Sequence, residues 1–126
     1  MHLSLRCYIS LVSATVLLPA APQAVSFSQN QSSVDAYAFV EVEMRVSAPD
    51  AANPFTDVTV EADFGPKRAP RLTVDGFCDS ADGSIYLVRF MPTKPGEYEY
   101  SIRFRQGFFE KTHSGAFRAV DGRRRG

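Results

Sequence analysis

Few residues of this sequence could do covalent chemistry. Beyond the apolar start that holds Cys7 and follows His2, Cys78 and His113 are the one pair that could make a thiol nucleophile and its base. Such a pair needs mutual hydrogen-bond reach and a carboxylate to orient the imidazole. The two lie far apart in the chain, and neither sits in a nucleophile elbow or beside an oxyanion-hole motif. His113 falls in Lys111-Thr112-His113-Ser114, where a polar turn residue is the expected reading. Glycosidase chemistry needs two carboxylates facing each other across a cleft. Here Glu41, Glu43, Glu61, Asp63, Glu97 and Glu99 each alternate with apolar neighbours, which predicts a solvated outer face. No site of catalysis is expected.

Metal and cofactor chemistry find equally little. Asp79, Asp82 and Gly83 suggest a calcium loop, but the ligand pattern of an EF-hand is not met. Soft ligands at zinc spacing, a phosphate loop and a dinucleotide fingerprint are all lacking from the sequence. The expected cofactor is none. Binding by aromatic side chains is the better prospect, because sugars rest on ring faces flanked by planar polar groups. Tyr37, Phe39, Tyr86, Phe108 and Phe109 are the candidates, as a carbohydrate platform or a domain-docking patch. Phe108-Phe109 stands out, because it follows Gly107 in a loop whose tip would expose two rings.

The elements that must position these groups are strands. Val40, Val42, Met44 and Val46 alternate with Glu41, Glu43 and Arg45, predicting a strand from about Phe39 to Val46. Asp57 to Phe64 repeats the pattern, and Arg71 to Phe77 gives a shorter strand with Leu72 and Val74 on one side. Ser84 to Met91 is apolar on both sides, as for a central strand. In Glu97 to Arg105, Tyr98, Tyr100, Ile102 and Phe104 alternate with charged and polar residues, and a last strand runs from about Gly115 to Val120. Six such strands with turn signals between them, and no helical period, predict an all-β, immunoglobulin-like antiparallel β-sandwich of about six to eight strands. Pro92, Gly96 and Tyr98 add the pattern of a sheet-to-sheet crossing anchored by a tyrosine hydroxyl.

With 126 residues there is room for one such domain. Ten Phe and five Tyr without Trp favour strands. The 14 basic and 14 acidic residues are mixed along the chain, which speaks against a nucleic-acid partner. Arg123, Arg124 and Arg125 read as a solvated tail over 122–126. The start reads as a bacterial export signal over 1–26: a weakly basic head, an apolar stretch from Cys7 to Leu18 too short to span a membrane, then small residues. Cleavage is expected before Phe27 or, second, after Ala24. The product would be secreted or periplasmic, with no membrane contact after cleavage and Cys78 as its one cysteine. A polar stretch over 27–36 predicts a flexible linker before a domain at 37–121.

Five short runs then carry a family resemblance. They are Asn53-Pro54-Phe55-Thr56-Asp57-Val58, Val74-Asp75-Gly76-Phe77, Val88-Arg89-Phe90-Met91-Pro92, Lys94-Pro95-Gly96-Glu97-Tyr98 and Gly115-Ala116-Phe117. In order and spacing they resemble domain of unknown function number 5060. The resemblance implies an immunoglobulin-like module preceding a glycoside hydrolase domain in secreted bacterial enzymes, with a supporting or substrate-presenting role. The partner would be that catalytic domain or a polysaccharide; a free-standing binding module is the alternative. By the same resemblance the hydrolase would begin about where this sequence ends, which leaves a truncated frame and a free-standing copy both open. Cys78 stands where an aromatic is more usual and Tyr98 where a Trp is expected. Arg89, between Val88 and Phe90, is expected to pair with an acid such as Asp75 if it is buried.

Overall fold

A computed structural model describes residues 24–121 as nine strands and no helix. In chain order they are β1 (Ala24–Gln29), β2 (Ser33–Asp35), β3 (Val40–Ser47), β4 (Val58–Pro66), β5 (Leu72–Asp75), β6 (Phe77–Cys78), β7 (Ile85–Phe90), β8 (Gly96–Gln106) and β9 (Phe109–Val120). One sheet has the order β1-β3-β7-β6, the other β2-β9-β8-β4-β5. All pairings are antiparallel except that of β2 with β9. This is the expected all-β, immunoglobulin-like sandwich, with nine strands where about six to eight were expected.

The alternating residues do what their period demands. Val40, Val42 and Met44 from one sheet meet Phe64, Tyr100, Ile102 and Phe104 from the other, all essentially without solvent access. Phe64 stacks on Phe90 and Tyr100, and Tyr98 stacks on Phe117, so aromatic rings fill the inter-sheet layer. Such pairs add to simple burial through their edge and face charges.

The crossing from β7 to β8 is closed as the sequence suggests. The Tyr98 hydroxyl donates to the Lys94 carbonyl at 2.7 Å, the tyrosine corner of sandwich domains. Gly96 lies at φ 141°, a backbone region open to glycine, and Pro92 is buried beneath the turn. A second crossing lies at Gly76, where the chain leaves β5 in one sheet and enters β6 in the other. A Cβ there would sit 2.6 Å from Val60 Cγ1 and 2.7 Å from Val88 Cγ2, so only glycine lets the chain pass between the sheets. Asn53-Pro54-Phe55 closes one end: the Asn53 carbonyl accepts from the Thr56 and Asp57 amides, and the Asp57 carboxylate accepts from the Asn53 amide at 2.8 Å. Pro54 is buried there, and its carbonyl accepts from the Tyr86 hydroxyl.

Three expectations change. Residues 27–36 are not a flexible linker: Ala24–Gln29 pairs along β3 and Ser33–Asp35 along β9. Only Val25, Phe27 and Val34 face inward there, so the apolar period was too sparse to read. Val25 is buried, so a cut before Phe27 or after Ala24 would shorten a paired strand; the rest of the expected signal, and the tail over 122–126, lie outside the described residues. The last strand begins at Phe109 rather than Gly115, since its first half pairs with β8 while offering only Phe109 and His113 as sizeable inward rings. Arg89 is half-exposed and pairs with Glu41 at 2.6 Å, not with Asp75. The β3–β7 register sets Glu41 opposite Arg89, and Phe77 lies under the guanidinium at 5.3 Å.

Candidate functional site

The residues that could act on a ligand separate to opposite sides or ends of the sandwich. Cys78 is on β6, the outer strand of its sheet, and its thiol donates to the Ser80 carbonyl at 3.0 Å. His113 is on β9 and stacks on Phe27 of β1, 4.7 Å between ring centroids. Three strand spacings separate β6 from β1, on the order of 14 Å, so the two cannot form a nucleophile and base. Burial lowers the His113 pKa below 6.5, and burial raises those of Tyr100 and Tyr86. For Tyr86 the neighbouring Cys78 adds to that effect.

The strand carboxylates face outward and most are engaged. Glu41 pairs with Arg89, Glu43 with Arg45, Glu97 with Arg118 and Glu99 with Arg71, while Asp63 accepts from the Thr73 hydroxyl. Among the described residues no group of three or more His, Cys, Asp or Glu could hold a metal ion. The loop with Asp79, Asp82 and Gly83 is held by its own chain. Ser84 donates to Asp82 through hydroxyl and amide, which lowers the Asp82 pKa, and the Ser80 hydroxyl oxygen accepts from the amides of Ser84 and Ile85.

The aromatic candidates divide. Tyr86 is core: it is buried edge-on against Phe104, so it is no part of a surface platform. Phe109 also leans edge-on on Phe104, half-buried. Phe108 alone forms the tip of the β8–β9 hairpin, 93% exposed. The loop at 48–57 shares that end of the sandwich, tied to the hairpin base by Gln106 Nε2 donating to Asp50 at 3.0 Å, and it exposes Phe55. Phe55, read in the sequence only as part of a motif, is therefore a second surface ring at the same end of the sandwich as Phe108, following the buried Pro54. Tyr37 is at the opposite end, 70% exposed, at φ 68°. Its amide donates to the Pro92 carbonyl at 2.7 Å, and Phe39 and Met91 are exposed nearby in the chain path.

At that second end the structure shows a feature the sequence did not. Pro66, Pro70, Leu72, Phe90, Met91 and Lys94 line a cleft of about 250 Å³ between the two sheets. Leu72 faces the same side as the buried Phe64 opposite it, yet remains 67% exposed. The two-residue β6 covers β7 only at Leu87 and Tyr86, so nothing closes the sandwich over Leu72. A short strand after a Pro70-Arg71 step was the available signal.

The two ends also differ in charge. The loops over 48–57 and 79–84 carry Asp50, Asp57, Asp79 and Asp82 and no Lys or Arg. The loops over 67–71 and 91–95 carry Lys67, Arg68, Arg71 and Lys94 and no acid.

Comparison with known proteins fits this architecture. A Bacteroides vulgatus protein provisionally assigned as a glycoside hydrolase is similar over 72% of this chain, at 24% identity and a TM-score of 0.58. The match spans 16% of that protein, so this chain corresponds to a small part of its length. The Lin-41 filamin domain is similar over 82% of this chain and all of its own, at 13% identity and a TM-score of 0.51. Both likenesses are of fold. No curated protein matches. The model of the family described as domain of unknown function (DUF5060) matches residues 33–105, more than half of the chain and all five sandwich motifs but the last, and the protein belongs to that family.

Proposed function

We propose that this protein is a non-catalytic accessory module of secreted carbohydrate-active enzymes, which packs against a glycoside hydrolase catalytic domain and helps present substrate to it. The observation that carries this reading is the family match, together with the likeness to a small part of a much longer protein assigned as a glycoside hydrolase. A sandwich whose carboxylates are mostly engaged with neighbours on open faces suits support rather than hydrolysis. Export follows in the same reading from the apolar start of the chain. The test is a binding titration between the purified sandwich and a hydrolase domain encoded beside it, with polysaccharide hydrolysis measured with and without the sandwich. Association accompanied by altered hydrolysis is expected. Hydrolysis by the sandwich alone, or no association, would overturn the proposal.

A second reading has one observation in its favour, the two exposed rings of Phe55 and Phe108 at one end. They would let the module contact polysaccharide itself. Affinity electrophoresis through gels of several polysaccharides should then show retardation that is lost when both are replaced by Ala. Unchanged mobility on every gel removes this reading.

A further inference from the structure

We propose that the open edge of β5 is a self-association surface, across which two copies of this chain pair antiparallel about a two-fold axis at Thr73, with Arg71 of each copy facing Asp75 of the other. This goes beyond the accessory role and does not depend on it.

The main chain supplies the first argument. The Gly76 amide donates to the Val60 carbonyl at 2.8 Å, which makes Val60 and Gly76 a hydrogen-bonded pair. Along the same register Ala62 and Val74, then Phe64 and Leu72, are the next such pairs. The amides and carbonyls of Thr73 and Asp75, and by the same alternation those of Arg71 just before the strand, therefore point away from β4. They face an edge that no other strand covers among the described residues. Such an edge is completed by another extended strand, and β5 carries neither a proline nor an inward charge to prevent it. About a two-fold axis at Thr73, the outward groups of Thr73 meet those of its own copy, and the outward groups of Arg71 meet those of Asp75.

Side chains supply the second. Glu61 and Asp75 stand directly opposite each other on the outer face, and neither joins an ion pair among the described residues. Like charges so placed repel. Pairing about Thr73 brings Arg71 of the second copy up to Asp75 and relieves them. Arg71 now reaches Glu99 at 3.0 Å, a half-exposed contact of small worth, and its guanidinium has donors enough for both carboxylates. On the inner side the same axis lays the exposed Leu72 against Val74 of the second copy. Charge over the whole molecule supplies the third argument. β5 starts from the basic loop over 67–71 and runs toward the end that holds Asp79 and Asp82. Antiparallel copies therefore set the basic end of each beside the acidic end of the other, where parallel copies would set like ends together.

Sedimentation velocity of the purified protein over a range of concentrations tests this, with the resonances of the isotope-labelled protein followed over the same range. Expected is a reversible passage from one copy to two, with resonance changes centred on the Thr73 and Asp75 amides and the Leu72 methyl groups. Asp75→Arg sets arginine against arginine at both ends of the pairing, and Arg71→Asp sets aspartate against aspartate. Each should weaken self-association by about tenfold or more. Mixing the two variants should restore it, because every contact then again joins arginine to aspartate. Combining both substitutions in one chain, which leaves the net charge unchanged, should restore it as well. Both positions are exposed, so the fold should persist, as unchanged core resonances would show. A single copy at every concentration, a two-copy species that both single variants retain, or no recovery in either the mixture or the combined variant would overturn the proposal. So would resonance changes confined to the Phe108 end.

Discussion

Tyr98 illustrates how one residue ties sequence to fold. Its ring fills the core beside Phe117 while its hydroxyl holds the turn it follows. Tyr98→Phe keeps the ring and removes one hydrogen bond, so unfolding in urea should show a loss of about 1 kcal/mol with the fold intact. Gly76→Ala adds one methyl group where two valine side chains already meet, and should cost roughly 1–3 kcal/mol by the same measurement. Arg89 makes the opposite case. Its pair with Glu41 is half in solvent, so Arg89→Met should change stability by less than about 1 kcal/mol. A loss of several kcal/mol would mean that the arginine does more than its position implies. Arg89 finds its acid at Glu41 rather than Asp75 because it is not buried: the alternation along β7 shows that a strand is apolar on both sides, but not which outward position lies open to water.

Between β1 and β9 the sandwich is sealed by a polar seam as well as apolar packing. The Tyr100 hydroxyl donates to Gln29 Oε1 at 2.6 Å, Gln29 Nε2 donates to the Ala116 carbonyl at 3.2 Å, and Phe27 stacks on His113. Burial holds His113 neutral, with its pKa lowered from 6.5. Above that value folded and unfolded chains are both neutral, and the seam is at full strength. As pH falls through 6.5 the unfolded chain takes up a proton that the folded chain resists, so stability falls until the folded pKa is passed. Thermal unfolding followed from pH 7.5 downward should show this decline, and His113→Phe should flatten it while keeping the stack. A slope unchanged by the substitution would assign the effect elsewhere. The central strands β3, β4, β7 and β8 were legible because their inward residues are large and regular. The outer strands were not, since β1, β2 and the first half of β9 carry few inward apolar residues and are held by ladders and by Gln29.

As a whole the molecule has no formal net charge yet is polarised, aspartates in the loops of one end and lysines and arginines in those of the other. It also stands without a disulfide among the described residues, so every strand that covers the core matters. A chain beginning at Phe27 loses buried Val25 and half of β1; compared with one beginning before Ala24 it should be less stable by roughly 1.5–3 kcal/mol or more in thermal or urea unfolding. Equal stability would show that β1 contributes little. By itself the sequence determined the strand period, the aromatic core, the tyrosine corner and the family motifs, because these are written in near neighbours along the chain. Only the tertiary structure decided which aromatics are free: it placed Tyr86 inside, left Phe108 and Phe55 outside, and opened a cleft at Leu72. Exposure depends on what lies across the sheets and on where a neighbouring strand stops, and neither is encoded in the spacing of residues along one strand.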